Sequence, residues 1–267
     1  MEIERTTDQP NWLELPKDVT SNILQRLGTV EIITSACQVC SLWWNICKDP
    51  FMWRTIHITI VNYSPRYIRH GVNLVKICRN AVARSCGQLE DIAFEFYVTD
   101  NLLAYIADRS GHLRCMRLVR SARLSEKGFR DVIKKLTFLE ELDISFNHQL
   151  SKETFELIGQ CCPLLKSLKY GRLVKGTEKI DDEAFAIAKT MPRLLHLKIS
   201  GNVLTSNDGV LAILDGCPLL ESLDLTRCYL RCFDFDVNDS LKKRGLEQIT
   251  YQFWTSLKRN LPKSSEA

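Results

Sequence analysis

The chain has 267 residues, of which 45% are hydrophobic and 25% charged, a balance typical of a folded protein with one large domain or a small domain joined to a larger one. It has no run of about 18 apolar residues, and the charged residues 1–5 are unlike a signal peptide, so we expect neither a membrane span nor a membrane partner. A formal net charge of +4 is too small to indicate nucleic-acid binding. These features predict a location in the nucleus, the cytoplasm or both.

Residues 11–56 are predicted to form three short helices behind a disordered N-terminus at residues 1–10. Pro16 suits the first turn of a helix, Gly28 ends that helix, and Thr29 is placed to cap the next one. The apolar stripes of the three helices are, in order, Val19, Ile23, Leu24 and Leu27; Ile32, Ile33 and Ala36; and Val39, Trp43, Ile46 and Cys47. Because so small a unit buries little surface, these residues indicate that a partner protein or the following domain covers them. A helical cap for the domain behind it is the alternative interpretation.

Residues 57–225 repeat one pattern, in which apolar residues occupy positions i, i+3 and i+5 of each unit. The units begin at Leu89, Leu113, Leu139, Leu165, Leu194 and Leu220, at intervals of 24 to 29 residues. Trp53, Ile56 and Ile58 fit the same pattern ahead of them, with an insertion expected around residues 63–66. A strand followed by a helix at this interval predicts a solenoid.

A helical stretch is predicted after most of these strands, with a polar cap ahead of several of them. The stretches are residues 102–107, 129–133, 155–158, 184–188 and 210–214, and the caps are Ser125, Ser151, Asp181 and Asn207. Residues 226–259 are predicted to cap the open end of the solenoid, because Leu246, Ile249, Phe253 and Leu257 share one helical face. A short helix that binds a peptide or a partner is the alternative, and residues 260–267 are expected to be disordered.

The motifs of the first segment fall in a recognisable order. They are Leu15-Pro16, Ile23-Leu24-x-x-Leu27, Val39-Cys40-x-x-Trp43 and Trp53, and this segment resembles an F-box. It departs from the family at Gly28, where proline is frequent, and at Cys37 and Trp44, where basic residues are frequent. The recurrent Cys-Pro-Leu-Leu-x-Ser-Leu at residues 162–168 and 217–223 resembles the cysteine-containing leucine-rich repeats. The whole is similar to plant F-box/leucine-rich-repeat proteins of the Skp-interacting-partner type.

The resemblance implies an α/β fold with an N-terminal three-helix F-box followed by a leucine-rich-repeat solenoid of one strand and one helix per repeat. It also implies a non-catalytic, substrate-recognition subunit of an SCF (Skp–cullin–F-box) ubiquitin ligase, which binds the Skp adaptor and through it cullin, and marks a protein target for degradation. The alternative is an interaction protein that acts outside a ligase. The adaptor-binding residues would be Leu15, Pro16, Val19, Ile23, Leu24, Leu27, Val39, Cys40, Trp43 and Trp53.

The target would meet the solvent-facing side of the strands, at positions i+2 and i+4. The candidate residues there are Arg117, Glu141, Asp143, Lys169, His196, Lys198 and Asp224. This mixed-sign surface suits a partner with complementary charges, although an exposed sheet face must be polar in any case. A run of eight basic residues between Arg114 and Lys135 is interpreted as a solvated face, with an acidic partner or a phosphate as the alternative.

No enzyme, metal or cofactor is predicted. The five histidines are scattered singly, no glycine-rich phosphate loop occurs, and no base can be placed beside a cysteine. Cys37 and Cys40 have the spacing of a redox or zinc motif, but no second Cys or His pair lies nearby. The eleven cysteines are expected to be reduced and largely buried.

Overall fold

The computed structural model describes residues 14–58, 73–95, 98–147, 150–172, 178–179, 181–200, 203–230 and 249–253. The expected insertion around residues 63–66 and the predicted disordered ends at residues 1–10 and 260–267 lie outside these ranges. None of the helices in the described ranges is long and apolar enough to cross a membrane.

The helices follow the order that the sequence predicts. They are α1 Lys17–Leu24, α2 Thr29–Thr34, α3 Ser41–Ile46, α4 Leu74–Arg84, α5 Asp100–Ala107, α6 Glu126–Ile133, α7 Lys152–Cys161, α8 Asp181–Thr190 and α9 Asn207–Gly216. Short 3₁₀ turns at Ala36–Gln38 and Pro50–Trp53 flank α3. The first three helices form the N-terminal helical unit, and the others belong to the solenoid.

The strands form one parallel sheet. They are β1 Thr55–Ile58, β2 Asp91–Glu95, β3 Cys115–Val119, β4 Glu141–Asn147, β5 Ser167–Arg172, β6 Glu178–Lys179, β7 His196–Ser200, β8 Val203–Thr205, β9 Ser222–Leu230 and β10 Ile249–Phe253. Neighbours in the sheet run β1-β2-β3-β4-β5-β7-β9-β8-β6, with β10 also paired to β9. Strand β1 pairs with β2 in the repeat register, so the segment at Trp53, Ile56 and Ile58 does begin the array.

The repeat pattern explains both the core and the register. Position i of each unit is buried, as are Ile92 and Phe94 at i+3 and i+5 of the first one. At position i+1, the carbonyl of one unit accepts two amide hydrogen bonds from the next; the Arg54 carbonyl, for example, accepts from Glu90 and Asp91 at 2.9 and 3.0 Å. The same bonds recur along the array and hold the strands in step.

The cysteines of the Cys-Pro-Leu-Leu motif have the structural position that the sequence indicates. Cys162 and Cys217 are buried, and each thiol donates to a carbonyl of the preceding repeat, Leu136 and Met191 respectively, at 3.5 Å. The helices also stack closely, since a Cβ added at Gly216 would lie 2.6 Å from the Cα of Ala188 on the neighbouring helix. Each repeat therefore depends on its neighbours for both polar and steric fit.

Several of the predicted caps are displaced by one residue. Ser125 does cap α6 and accepts a bond from the Gly128 amide at 2.9 Å. Ser151 lies at the predicted N-cap but makes no side-chain capping bond. Asn207 is instead the first residue of α9, because Ser206 caps that helix. Asp181 opens α8, and its carboxylate accepts from the Ser206 amide of the next repeat at 2.9 Å.

The helix predicted for the C-terminal segment is wrong where the structure describes that segment. Ile249–Phe253 is strand β10 and pairs in parallel with β9, with a register shift after Tyr251. Leu246 and Leu257 lie outside the described residues. Alternating apolar residues at Ile249, Tyr251 and Phe253, with β-branched and aromatic types, also fit a strand, and the open edge of β9 favours that pairing.

Candidate protein-binding surfaces

The first candidate surface is the helical patch, which we define by the accessible members of the predicted adaptor-binding set. They are Leu15, Pro16, Val19, Ile23, Leu27, Val39, Cys40 and Trp43, all exposed or half-buried. Val39 has 60% of its surface exposed, and Val19 and Leu27 have 39% and 37%. Helices α1 and α3, which carry part of this set, contact each other. Large apolar side chains left this accessible on a small unit are typical of a protein interface.

Two of the predicted adaptor-binding residues are not on this surface. Leu24 and Trp53 are 0% and 1% exposed, so neither can contact a partner in this conformation. The Trp53 indole N–H donates to the Cys47 carbonyl at 2.9 Å inside the unit. We therefore assign both residues to the core that supports the patch.

Local hydrogen bonds set the directions of α2 and α3. Gly28, not Thr29 as the sequence predicts, is the N-cap of α2, and its amide donates to the Glu31 carboxylate at 3.1 Å. The Thr29 hydroxyl instead accepts a bond from the His57 amide of β1 at 3.1 Å. Cys40 caps α3 by accepting from the Trp43 amide at 3.5 Å. The unit is thus bonded directly to the first strand of the solenoid.

Arg84 of α4 forms a second connection between the helical unit and the solenoid, and sequence reasoning missed it. Its Nη1 donates to the Cys47 carbonyl at 3.2 Å, and its guanidinium carbon lies 5.1 Å from the Trp44 ring centroid and 5.5 Å from that of Trp53. Trp44, one of the departures from the family pattern, therefore packs beneath a solenoid arginine. No spacing rule in the sequence links residues so far apart.

The second candidate surface is the open sheet face, formed by the outward side chains at positions i+2 and i+4. It contains all seven predicted target-facing residues: Arg117, Glu141, Asp143, Lys169, His196, Lys198 and Asp224, each exposed or half-buried. The register brings them side by side, since Arg117 is level with Asp143, and Lys169 with Lys198. The prediction that these residues share one face is confirmed, whereas their role in target binding is not tested by their placement.

Charges at the β1–β4 end of the open sheet face are paired. Asp91 lies 2.8 Å from Arg117 and 3.2 Å from the Nε2 of His57. Partial burial raises the pKa of Asp91, but the contacts with His57 and Arg117 outweigh it and hold the pKa of that carboxyl below its usual value. Glu141 lies 3.4 Å from the second guanidinium nitrogen of Arg117.

The β5–β9 end of the same face holds a shallow hollow of about 280 Å³. Lys198 pairs with Asp224 at 2.5 Å, and the Nδ1 of His196 lies 3.0 Å from the Ser222 hydroxyl. Lys169 is exposed beside them. Hydroxyl, imidazole and ammonium groups thus line a hollow that suits a polar side chain of a partner.

The basic run between Arg114 and Lys135 does not form one surface. Arg114 pairs with Glu140, Arg117 with Asp91, and Lys135 with Asp108. Lys134 pairs with Asp131 in its own helix. Because carboxylates already neutralise these cations on different sides of the solenoid, the run is a set of solvated charges and offers no continuous phosphate site.

Several thiols are poorly suited to nucleophilic chemistry. Burial raises the pKa of Cys78, Cys162 and Cys228 to about 12. Burial, with carboxylates nearby, raises the pKa of Cys115 on the open sheet face to about 11. The thiolate is the reactive form, so these four groups are almost wholly unreactive near neutral pH.

A groove that the sequence did not predict lies between the helical unit and the first repeats. The groove has a volume of about 630 Å³ and is lined in part by Leu27, Phe51 and Arg54. Phe51 is 59% exposed. Its position next to Met52 and Trp53, both buried, could have indicated the groove only if the turn Pro50–Trp53 had been foreseen.

Comparison with known proteins bears on both parts of the chain. The F-box-like family matches residues 12–59. F-box protein SKIP19 of Arabidopsis thaliana is 43% identical over 93% of this chain and 78% of its own length. F-box/LRR-repeat protein 9 of the same plant is 40% identical over 82% of this chain and 88% of its own length. F-box/LRR-repeat protein 23, also from that plant, is 43% identical over 90% of the chain, which spans only 52% of that relative. Because such relatives match the helical unit and the repeats together, the chain belongs to the F-box/leucine-rich-repeat protein family.

Proposed function

We propose that this protein is a substrate-recognition subunit of an SCF ubiquitin ligase. The helical patch binds a Skp adaptor, the adaptor joins the chain to cullin, and the open sheet face holds a protein target for ubiquitination and degradation. The chain itself supplies no catalytic group. It acts by position, because holding the target at a fixed place raises the effective concentration of its acceptor lysine at the ubiquitin-carrying enzyme. The compartment is the nucleus, the cytoplasm or both.

The observation that carries the proposal is the exposure of Val19, Leu27 and Val39 on a unit of the F-box-like family. Relatives include proteins with SKIP names, which stand for Skp1-interacting partner. The direct bonds from the helical unit to β1 and α4 add support, since a ligase subunit must transmit the position of the adaptor to the target without play.

The test is co-expression of the full chain with a plant Skp adaptor, followed by affinity capture and size-exclusion chromatography. The native chain should form a 1:1 complex. Val19→Arg/Leu27→Arg should lose at least about tenfold in affinity, because burying each apolar side chain is worth about 1.5–3 kcal/mol and a buried guanidinium is unfavourable. Phe185→Arg is the matched control, since Phe185 is 42% exposed but lies on α8 of the solenoid, and it should bind like the native chain.

A native chain that is folded yet indifferent to the adaptor would contradict the proposal. Equal binding by all three chains would place the interface elsewhere. The alternative, a protein that binds the adaptor outside a ligase, is separated by a second measurement on the same complex. Addition of cullin should give a larger assembly if the chain belongs to a ligase, and the alternative predicts no such assembly.

A further inference from the structure

The open sheet face has two ends of opposite charge, and the charges where the two ends meet are not used within the described part of the chain. The acidic end, on β2 to β4, carries three carboxylates, Asp91, Glu141 and Asp143, against the single guanidinium of Arg117. The basic end, on β5 to β9, carries Lys169 and Lys198 against Asp224. The boundary lies between β4 and β5.

Groups at the outer parts of both ends already have partners. Asp91 is held by His57 and Arg117, and Lys198 by Asp224 at 2.5 Å. These pairs fix side chains in place and add little net charge. They leave the middle of the face as the region where charge is available.

The two charges at the boundary are neighbours that do not pair. Asp143 and Lys169 are register partners on adjacent strands, yet no ion pair joins them, and neither forms one with any other residue in the described ranges. The Asp143 carboxylate accepts a bond from the Ser145 amide at 2.9 Å, which turns it along its own strand. Glu141, one side-chain position away on β4, has only the 3.4 Å contact with Arg117. An exposed ammonium and two carboxylates with spare capacity therefore lie side by side.

We infer that the open sheet face recognises an extended target segment with a cationic side chain that binds over Glu141 and Asp143 and an acidic side chain that binds over Lys169 and His196. This inference rests on the proposed function, since it names the class of target. Adjacent strands lie about 4.8 Å apart, so the two subsites are about 5–10 Å apart. An extended chain rises about 3.3 Å per residue, and the two charges of the target are therefore two or three residues apart.

The acidic group is a carboxylate and not a phosphate. Asp224 lies 2.5 Å from Lys198 and would repel a dianion placed in the hollow, which leaves Lys169 as one full positive charge for one carboxylate. The hydroxyl of Ser222 and the ring of His196 can complete the coordination of a carboxylate oxygen by hydrogen bonds. The carboxylates on β4 likewise disfavour nucleic acid.

The experiment is selection from a displayed library of random 12-residue peptides on the full chain in complex with the adaptor, or on the full chain alone if no complex forms. Enriched peptides should carry a basic and an acidic residue two or three positions apart. In fluorescence polarisation with labelled copies, Lys169→Glu should weaken binding about tenfold. Lys134→Glu, which changes an exposed lysine outside the sheet, should leave it unchanged. Asp143→Lys/Lys169→Asp should favour peptides in which the two charges are exchanged.

Apolar peptides, peptides of one charge sign, no enrichment, or binding that ignores the Lys169 substitution would overturn the inference. Tighter binding of a copy with phosphoserine in place of the acidic residue would replace the carboxylate with a phosphorylated target. Adaptor capture on the same preparations separates the two proposals. Selective peptide binding without adaptor binding would overturn the proposed function alone, whereas adaptor binding without charge selectivity would overturn this inference alone.

Discussion

Replacing Arg84 with methionine should weaken the connection between the helical unit and the solenoid while leaving each part intact. Methionine keeps an apolar stem of similar length and removes the guanidinium. The bonds lost are the 3.2 Å hydrogen bond to the Cys47 carbonyl, the 2.8 Å bond to the Asn80 side chain and the cation–π contacts with Trp44 and Trp53. Only the contacts with the helical unit bear on this connection.

The magnitude follows from those contacts. A hydrogen bond from a charged donor contributes about 1.5–3 kcal/mol, but the Cys47 carbonyl keeps its bond from the Trp53 indole, so the lower figure applies. Two cation–π contacts at partly exposed sites add about 0.5 kcal/mol each. We therefore expect Arg84→Met to lower the free energy of unfolding by about 2–3 kcal/mol.

The assay is urea unfolding followed by tryptophan fluorescence and by far-ultraviolet circular dichroism. Fluorescence reports on Trp44 and Trp53 at the connection, so its midpoint should fall below that of the dichroism in the variant. Arg79→Met is the matched control, because Arg79 lies 4.5 Å from the Tyr105 ring within the solenoid and should cost no more than about 1 kcal/mol. A loss in Arg84→Met that equals the control would refute the assignment of Arg84 as a structural connection.

Two further substitutions test the solenoid. Gly216→Ala should lower stability by about 1–3 kcal/mol in thermal unfolding, because the added methyl meets the backbone of α8, whereas Gly111→Ala, where nothing lies within 4 Å of the added atom, should change it little; equal effects would contradict the close helix stacking. Asp91→Asn should lower stability by about 1 kcal/mol at pH 7, since it removes the ion pairs with His57 and Arg117. The folded-state pKa of Asp91 is lowered, so its contribution is present above the ordinary aspartate pKa of about 4 and is lost as pH falls through the lower folded value. Native and variant chains should therefore converge in stability near about pH 2–3, and a difference that does not vary with pH would show that the ion pairs are not its source.

Much of the fold follows from periodicity that is local in the sequence. An apolar residue at i, i+3 and i+5 buries one side of a strand, and the following helical stripe covers it, so the repeats could be predicted unit by unit. The register then follows from the repeat itself, and this is why Arg117, Asp143 and Lys198 can be assigned to one face by counting along the repeats. Ser125 could be predicted as a cap for the same reason, since capping depends on the nearest few residues.

The tertiary structure decided what depends on residues that are distant in the chain. Leu24 and Val39 both belong to apolar stripes, yet one is fully buried and the other 60% exposed, because the packing of the helices on β1 and α4 selects which side is covered. Ile249–Phe253 has both helical and strand periodicity, and the edge of β9 makes it a strand. The contacts of Arg84 cross 37 residues to reach Cys47. The sequence by itself determined the repeating unit and its outward charges, whereas burial at the N-terminal unit and pairing of those charges required the neighbours that only the folded chain brings together.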